Sequence, residues 1–232
     1  MHFTRFCAII NMDNGILVPN DSNLSETFSM TDINTKKRIV LASASPRRKD
    51  ILESMGAQFE ILCADADETS DITDPELLTR ELARRKASAA LDILKAQKKA
   101  DGAIIIAADT VVACDGKILG KPKSREDAIE MITLLSGKAH VVASGIAVCS
   151  EGVIKTDCSI TKVRVDNIPA EEIIKYVDSG EPYDKAGGYG IQGSFSRWVS
   201  GIDGCYFGVV GLPANKLSTL FYECVGAYPD SI

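Results

Sequence analysis

The alternation of apolar and polar residues divides the chain beyond residue 38 into short strands and amphipathic helices. The apolar run at residues 39–42 predicts a strand, and residues 43–45 (SAS) predict a tight turn. Pro46 suits the first position of a helix, and apolar residues three and four apart continue that helix until Gly56. A strand, a turn and a helix are therefore predicted at the start of this region.

The same pattern continues to the end of the chain. Residues 59–63 predict a second strand, Pro75 begins a helix that runs to about Lys99, and residues 103–108 form a nearly continuous apolar run typical of a buried strand. Further predicted elements are strands at 111–114, 117–119, 141–149 and 153–165, and helices that begin at Ser124, Pro169 and near Pro213. Helices alternate with strands before a long hairpin, which predicts an α/β fold with a mixed twisted sheet and two lobes around a cleft.

The first 35 residues lack this periodicity and are rich in Asn, Asp, Ser and Thr. Their short apolar patch at residues 6–10 is followed at once by Asn11, Asp13 and Asn14, which does not fit a signal peptide. We therefore predict a flexible N-terminal extension over residues 1–35 and a folded domain over residues 36–232.

Composition and charge narrow the class of protein. The formal net charge of −6 argues against a general nucleic-acid binder, and no apolar run approaches the length of a membrane span. Seven scattered cysteines never form a Cys-x-x-Cys motif, which favours reduced thiols in a cytoplasmic protein over a disulfide scaffold or a zinc site.

Two arginines, Arg47 and Arg48, fall in the first turn of the first predicted helix. Cations are unfavourable there, because the free N–H groups and the helix dipole already favour negative charge. Either both side chains point into water, or a phosphate lies between the helix end and the two guanidinium groups.

Lys86 and Asp109 also interrupt apolar patterns. Lys86 lies four residues after Leu82 on the apolar stripe of the long helix, so its ammonium either extends to solvent or reaches inward to a ligand. Asp109 is predicted at the carboxyl end of the most apolar strand, where ligands of α/β sheets collect, and it needs a metal, a cation or dense hydrogen bonding. A structural salt bridge would satisfy it equally well. Lys121 is close enough in sequence to reach the same site.

Histidine offers little for catalysis, because the chain has only His2 and His140, and His140 is interpreted as structural or solvent-facing. Acid–base and metal chemistry must then use carboxylates, and the acidic loop at residues 64–73 supplies Glu68. Such oxygen ligands point to Mg²⁺ or Mn²⁺, although acidic loops are usually only solvated. Residues 188–193 match G-x-G-x-x-G, but no buried strand precedes them, so we interpret them as a tight glycine loop and not a dinucleotide site.

Taken together, these stretches resemble the Maf family of nucleoside triphosphate pyrophosphatases over roughly residues 38–225. The resemblance is carried by residues 41–48 (LASASPRR), 67–69 (DET), 82–86 (LARRK), 108–112 (ADTVV), 120–122 (GKP), 184–193 (DKAGGYGIQG) and 209–213 (VVGLP). It implies a two-lobed fold related to inosine triphosphatases, a homodimer, and hydrolysis of the α–β phosphate bond of a nucleotide with a divalent metal. Gly208 departs from the family pattern, in which a polar residue, often Asn, is expected.

The resemblance also implies roles for individual residues. Asp109 would be the general base and, with Glu68, a metal ligand. The substrate-binding and specificity residues would be Ser43, Arg47, Arg48, Lys86, Thr110, Lys121 and Gln192. Arg47, Thr110 and Gln192 match the branch acting on dTTP and UTP, and modified pyrimidine nucleotides such as 5-methyl-CTP are further candidates. Such an enzyme would limit the incorporation of unwanted nucleotides; the alternative is a non-catalytic nucleotide-binding regulator of cell division.

Overall fold

The computed structural model describes residues 37–232, so the predicted extension over residues 1–35 lies outside the described residues. The strands are β1 (Arg38–Leu41), β2 (Phe59–Ile61), β3 (Ala103–Cys114), β4 (Lys117–Leu119), β5 (Ala139–Ser150), β6 (Val153–Val165) and β7 (Val199–Asp203). The α-helices are α1 (Pro46–Ser54), α2 (Pro75–Ala96), α3 (Arg125–Leu135), α4 (Ala170–Asp178), α5 (Tyr206–Val210) and α6 (Ala214–Val225).

All seven strands belong to one sheet with the order β2-β1-β3-β5-β6-β7, and β4 pairs with the end of β3. β1 pairs in parallel with β2 and β3, whereas the other pairings are antiparallel. The predicted α/β fold with a mixed sheet is therefore confirmed. None of the helices between residues 37 and 232 is long and apolar enough to cross a membrane.

One face of the sheet packs against α2 and the other against the remaining helices. Successive side chains of β3 alternate between these two faces. Ile105 and Ala107 pack with small residues of α2, such as Ala83 and Ala87, on one face. Ile104 and Ile106 point to the opposite face and belong to the larger core, which receives side chains from the other five helices. Because successive side chains of a strand point to opposite faces, neighbouring residues of β3 serve different layers.

Gly145 allows α2 to lie close to the sheet. It pairs with Asp109 across β5 and β3, and a Cβ atom at this position would come within 2.3 Å of the backbone carbonyl of Thr79 in α2. Real Cβ atoms do not approach backbone so closely, so any larger residue here would push the helix outward. The glycine thus sets the distance between α2 and the middle of β3.

The edge of β3 that faces away from β5 is only partly covered. β1 pairs with Ala103–Ile106 and β4 pairs with Val112–Cys114, so residues 107–111 have no strand beside them on that edge within the described part of the chain. The turn at residues 43–45 ends β1 and leads into α1. An opening in the sheet therefore lies directly beyond the carboxyl end of β1, as expected for a ligand site in such sheets.

The local predictions differ from the structure in two respects. The strand predicted to end at Ala108 continues through to Cys114, so Asp109 lies in the middle of β3 and not at its end. The short elements β7 and α5 were not predicted, because each has only five residues and includes a glycine. The six cysteines of the described region form no disulfide with one another, and the reduced state of the thiols stays a prediction.

Candidate active site

A cavity of about 700 Å³ opens at the uncovered edge of β3. Its walls come from the start of α1, the acidic loop, α2, the glycine loop and α5. Among the residues that line it are Arg47, Arg48, Glu68, Lys86, Asp109, Thr110, Lys121 and Gln192. All the predicted site residues thus line one cavity except Ser43. The hydroxyl of Ser43 accepts a hydrogen bond from Arg48, which does line the cavity.

Lys86 joins Asp109, the predicted general base, to Glu68, which was predicted to bind a metal together with Asp109. Its Nζ lies 2.5 Å from Asp109 Oδ1 and 2.8 Å from Glu68 Oε1. The side chains of Lys86 and Asp109 are 17% and 11% exposed, so this lysine reaches inward and does not extend to solvent. The hydrogen bond from Lys86 is the main reason that the pKa of Glu68 is lowered, and the charges of Lys121 and Arg48 add to the effect. Glu68 is therefore ionised at neutral pH.

The positions of these three groups follow from local structure. Asp109 lies on the same face of β3 as Ile105 and Ala107, the face that packs against α2. Lys86 lies one turn from Ala83 and Ala90 of the buried α2 stripe, and Gly145 brings that helix close. The predicted need of Asp109 for a partner is met by a cation from the neighbouring helix.

Arg48 is held entirely by neutral acceptors. Its Nε donates to the carbonyl of Gly211 at 2.9 Å, Nη1 donates to Ser43 Oγ at 3.2 Å, and Nη2 donates to Thr110 Oγ1 at 3.3 Å. Burial is the main cause that lowers the pKa of this guanidinium, which nevertheless stays charged, because an arginine loses its proton only far above neutral pH. No carboxylate within the described residues forms an ion pair with it, and two of its five N–H groups remain for an anion.

The start of α1 adds to this anion site. Ser45, the N-cap residue, makes no side-chain capping bond, and the first turn of α1 contains no acidic residue. The N–H groups of a helix start are unpaired and favour negative charge, so the helix end and Arg48 act in the same direction. The geometry supports the prediction that a phosphate lies here, and Arg48 does not simply point into water.

Arg47 has a different partner. Its Nη1 lies 2.9 Å from Asp184 Oδ2, and Asp184 also pairs with Lys185. Partial burial opposes the ionisation of Asp184, but the hydrogen bonds from Lys185 and Arg47 dominate and lower its pKa. Asp184 and Lys185 line the cavity and were not among the predicted site residues, although both stand in the stretch that carries the family resemblance.

Lys121 and Gln192 both line the cavity and are exposed. Lys121 follows Gly120, whose carbonyl accepts a hydrogen bond from the N–H of Gly187, directly before the glycine loop. Gln192 belongs to this loop, which lies between 3₁₀ turns at Ala186–Gly188 and Ser194–Trp198 and is not preceded by a buried strand. This agrees with the interpretation of residues 188–193 as a tight glycine loop.

The carboxylates suit a metal that arrives together with a phosphate ligand. Across residues 37–232 no third His, Cys, Asp or Glu side chain joins Glu68 and Asp109 to build a closed metal cage. Mg²⁺ is usually bound by one or two carboxylates, with water and substrate phosphates as the other ligands. Lys86 contacts one oxygen of each carboxylate. The second oxygens of Glu68 and Asp109 would therefore supply the two carboxylate ligands of such an ion.

His140 lies outside the group formed by Lys86, Asp109 and Glu68. It is 2% exposed, its Nε2 lies 2.7 Å from the hydroxyl of Tyr189, and its Nδ1 is buried without a partner among the described residues. Burial lowers the pKa of His140 to about 4, so the ring is neutral at physiological pH. Its role is structural, as one of the two interpretations proposed.

Comparisons with known proteins find relatives over most of the chain. A family model described as Maf-like protein matches residues 38–224. A dTTP/UTP pyrophosphatase of Clostridium perfringens (strain 13 / Type A) is 45% identical over 184 residues, which cover 78% of this chain and 93% of that protein. A dTTP/UTP pyrophosphatase of Desulforamulus reducens is 44% identical over 184 residues, with the same coverage of each chain. One of Caldanaerobacter subterraneus is 45% identical over 185 residues, covering 79% of this chain and 87% of that protein.

Proposed function

The chain belongs to the Maf family, and from this premise we propose that it is a nucleoside triphosphate pyrophosphatase acting on dTTP and UTP. One observation carries the proposal: Arg48, which has no carboxylate partner among residues 37–232, and the Lys86–Asp109–Glu68 group lie in one cavity of about 700 Å³. An anion-binding group beside a carboxylate is what hydrolysis of a phosphoanhydride needs. The names of the relatives point to the same reaction.

In the proposed reaction, water attacks the α-phosphorus and the bond to the β-phosphate oxygen breaks. The products are a nucleoside monophosphate, pyrophosphate and one proton. Asp109 takes the proton of the attacking water, and Lys86 keeps Asp109 in place through the 2.5 Å contact. Arg47, Arg48 and Lys121 bind the phosphates and stabilise the charge that gathers on the leaving pyrophosphate.

We propose Mg²⁺ or Mn²⁺ as the cofactor, held by Glu68 and Asp109. Bound there, a divalent ion supplies charge stabilisation and helps to ionise water. Glu68 suits the role because its lowered pKa keeps it ionised, and its 64% exposed side chain is free to move between Lys86 and an incoming ion.

Base selectivity is proposed to depend on the glycine loop. Gln192 lines the cavity with an exposed amide, which can donate to and accept from a pyrimidine edge. Because one amide carries both a donor and an acceptor, it can also pair with the edge of a cytosine, so modified pyrimidine nucleotides such as 5-methyl-CTP are included in the proposal. The enzyme would thereby limit the incorporation of unwanted nucleotides. A homodimer in the cytoplasm is also proposed, on the family resemblance and the free thiols.

The test is a panel of nucleotides with separate detection of pyrophosphate and orthophosphate. We expect dTTP, UTP and 5-methyl-CTP with Mg²⁺ or Mn²⁺ to give pyrophosphate and monophosphate, ATP and GTP to give little, and EDTA to stop turnover. Light scattering coupled to size exclusion reports the oligomeric state of the same sample. Orthophosphate as the first product would contradict the proposed bond cleavage, and nucleotide binding without any turnover would favour the non-catalytic regulator.

A further inference from the structure

A line of two hydroxyl groups, the half-buried one of Thr110 and the fully buried one of Ser144, connects Arg48 to helix α5. Arg48 Nη2 lies 3.3 Å from Thr110 Oγ1, Thr110 Oγ1 lies 2.8 Å from Ser144 Oγ, and Ser144 Oγ lies 2.6 Å from the carbonyl oxygen of Gly208. Ser144 is 0% exposed and stands in the apolar middle of β5.

The direction of each hydrogen bond in this line is fixed by its two ends. A guanidinium can only donate, so Thr110 Oγ1 accepts from Arg48; a carbonyl can only accept, so Ser144 donates its single proton to Gly208. Ser144 therefore has no proton left for Thr110, and Thr110 must donate to Ser144. The hydroxyl proton of Thr110 is consequently unavailable to a substrate.

The carbonyl groups of Gly208 and Gly211 in the α5 region both support Arg48. Gly208 is reached through Thr110 and Ser144, and Gly211 accepts directly from Nε at 2.9 Å. A Cβ atom at Gly208 would come within 3.0 Å of Ser159 Oγ, so a side chain at this position requires Ser159 or α5 to shift. The departure from the family pattern at residue 208 thus lets α5 pack closely where Ser144 needs its acceptor.

We propose that Ser144 and Thr110 are positioning residues for Arg48, and that Thr110 acts on phosphate binding through this guanidinium rather than by reading the base. The inference rests on the proposed function only in assigning a phosphate to Arg48. Three neutral acceptors orient the guanidinium without neutralising its charge, which leaves its remaining N–H groups directed at the anion. A base-reading residue, by contrast, would affect one nucleotide more than another.

The experiment uses the full chain and two readouts. Binding of inorganic tripolyphosphate is measured by calorimetry in EDTA, because this probe contains phosphates and no base. Then kcat and KM are measured for UTP and ATP with Mg²⁺. The variants are Thr110→Val, Thr110→Ser and Ser144→Ala, each also combined with Arg48→Ala. Ser159→Ala is the matched control, since Ser159 is a buried serine paired with Ser144 across β5 and β6 but lies outside the hydroxyl line.

We expect Thr110→Val to weaken tripolyphosphate binding about tenfold and Ser144→Ala about threefold, as for the loss or disordering of one bond to a charged group. Thr110→Ser should recover most of the binding, and Ser159→Ala should bind like the wild type. The loss in kcat/KM should be equal for UTP and ATP, and neither substitution should add to Arg48→Ala. Thermal melting identifies any loss that follows from unfolding, and Thr110→Val, which is nearly isosteric, is the decisive variant.

A changed UTP-to-ATP ratio with unchanged tripolyphosphate binding would overturn the proposal, because Thr110 would then read the base directly. Additive effects of Thr110→Val and Arg48→Ala would also overturn it. If the wild type binds tripolyphosphate but hydrolyses no nucleotide, the proposed function fails, while the binding series still decides the role of the hydroxyl line.

Discussion

The replacement Asp109→Asn tests the proposed catalytic centre most directly. It removes the carboxylate charge and the proton acceptor but preserves the size of a side chain that is 11% exposed. If Asp109 accepts the proton of the attacking water, we expect kcat to fall by about 10²- to 10⁴-fold, which is the usual contribution of a general base. Binding of tripolyphosphate should be unchanged or tighter, because the cavity loses a negative charge.

The same replacement has a limited cost in stability. Breaking a buried ion pair costs about 3–5 kcal/mol when it leaves a charge alone. Here Lys86 keeps Glu68 at 2.8 Å, and Asn still offers an oxygen to the ammonium group. We therefore expect the free energy of unfolding to fall by about 1–2 kcal/mol, or about 2–8 °C in Tm, which leaves the variant folded at the assay temperature.

Asp115→Asn is the matched control for this experiment. Asp115 directly follows β3, its carboxylate lies 2.7 Å from the Nζ of Lys138, and it is more than half exposed and distant from the catalytic group. Pyrophosphate release at saturating UTP, tripolyphosphate calorimetry and thermal melting are compared for the two variants. Turnover by Asp109→Asn within threefold of the wild type would refute the assignment of Asp109 as the base, whatever the fold.

Three further expectations follow from other parts of the molecule. Burial lowers the pKa of His140 to about 4, so as pH falls the histidine is protonated in the unfolded chain before it is protonated in the folded one. The free energy of unfolding should therefore decline by up to about 3 kcal/mol between pH 6.5 and pH 4. His140→Phe should lack this decline in urea titrations. Hydrogen bonding to Arg84 is the main cause that holds the pKa of Glu81 down at about 2, which stabilises the fold above pH 4.5 and ceases to do so towards pH 2. Since that pair lies on the helix surface, Glu81→Gln should cost under about 1 kcal/mol at pH 7 and none at pH 2, and a larger cost would contradict the solvent screening assumed. Gly145→Ala should lower stability by about 1–3 kcal/mol and reduce kcat, because α2 must move away from Asp109; unchanged melting and turnover would show that α2 tolerates the methyl group.

Local patterns were sufficient to predict the start of the site. The apolar run at residues 39–42, the serine-rich turn and Pro46 predicted β1 and α1, and the structure has them at Arg38–Leu41 and Pro46–Ser54. Lys86 and Asp109 stood out because each breaks an apolar pattern, and the structure pairs them at 2.5 Å. A charged residue in an apolar pattern needs a partner, so such interruptions carry information that the pattern itself lacks.

Contacts between distant parts of the chain could not be predicted in the same way. The predicted position of Asp109 at the end of a strand was wrong, because the length of β3 depends on the strands that pair with it. β5 pairs with β3 beyond Asp109, whereas β1 pairs only with the first four residues of β3. Ser144 gave no signal, since one serine in a strand is compatible with any neighbour. The acceptor of Arg48 Nε lies 163 residues further along the chain, at Gly211. Such pairings depend on how the layers pack, which no short stretch specifies.

The short length of β1 is as important to the proposed chemistry as the charged residues. Asp109 and Thr110 are consecutive in β3, so their side chains leave opposite faces of the sheet, one towards Lys86 and the other towards Arg48. A single ligand can contact both groups only where no neighbouring strand separates the two faces. Because β1 ends at Leu41, residues 107–111 are open on that edge, and the cavity reaches both sides there. If β1 paired further along β3, its backbone would fill this opening and separate Asp109 from Arg48.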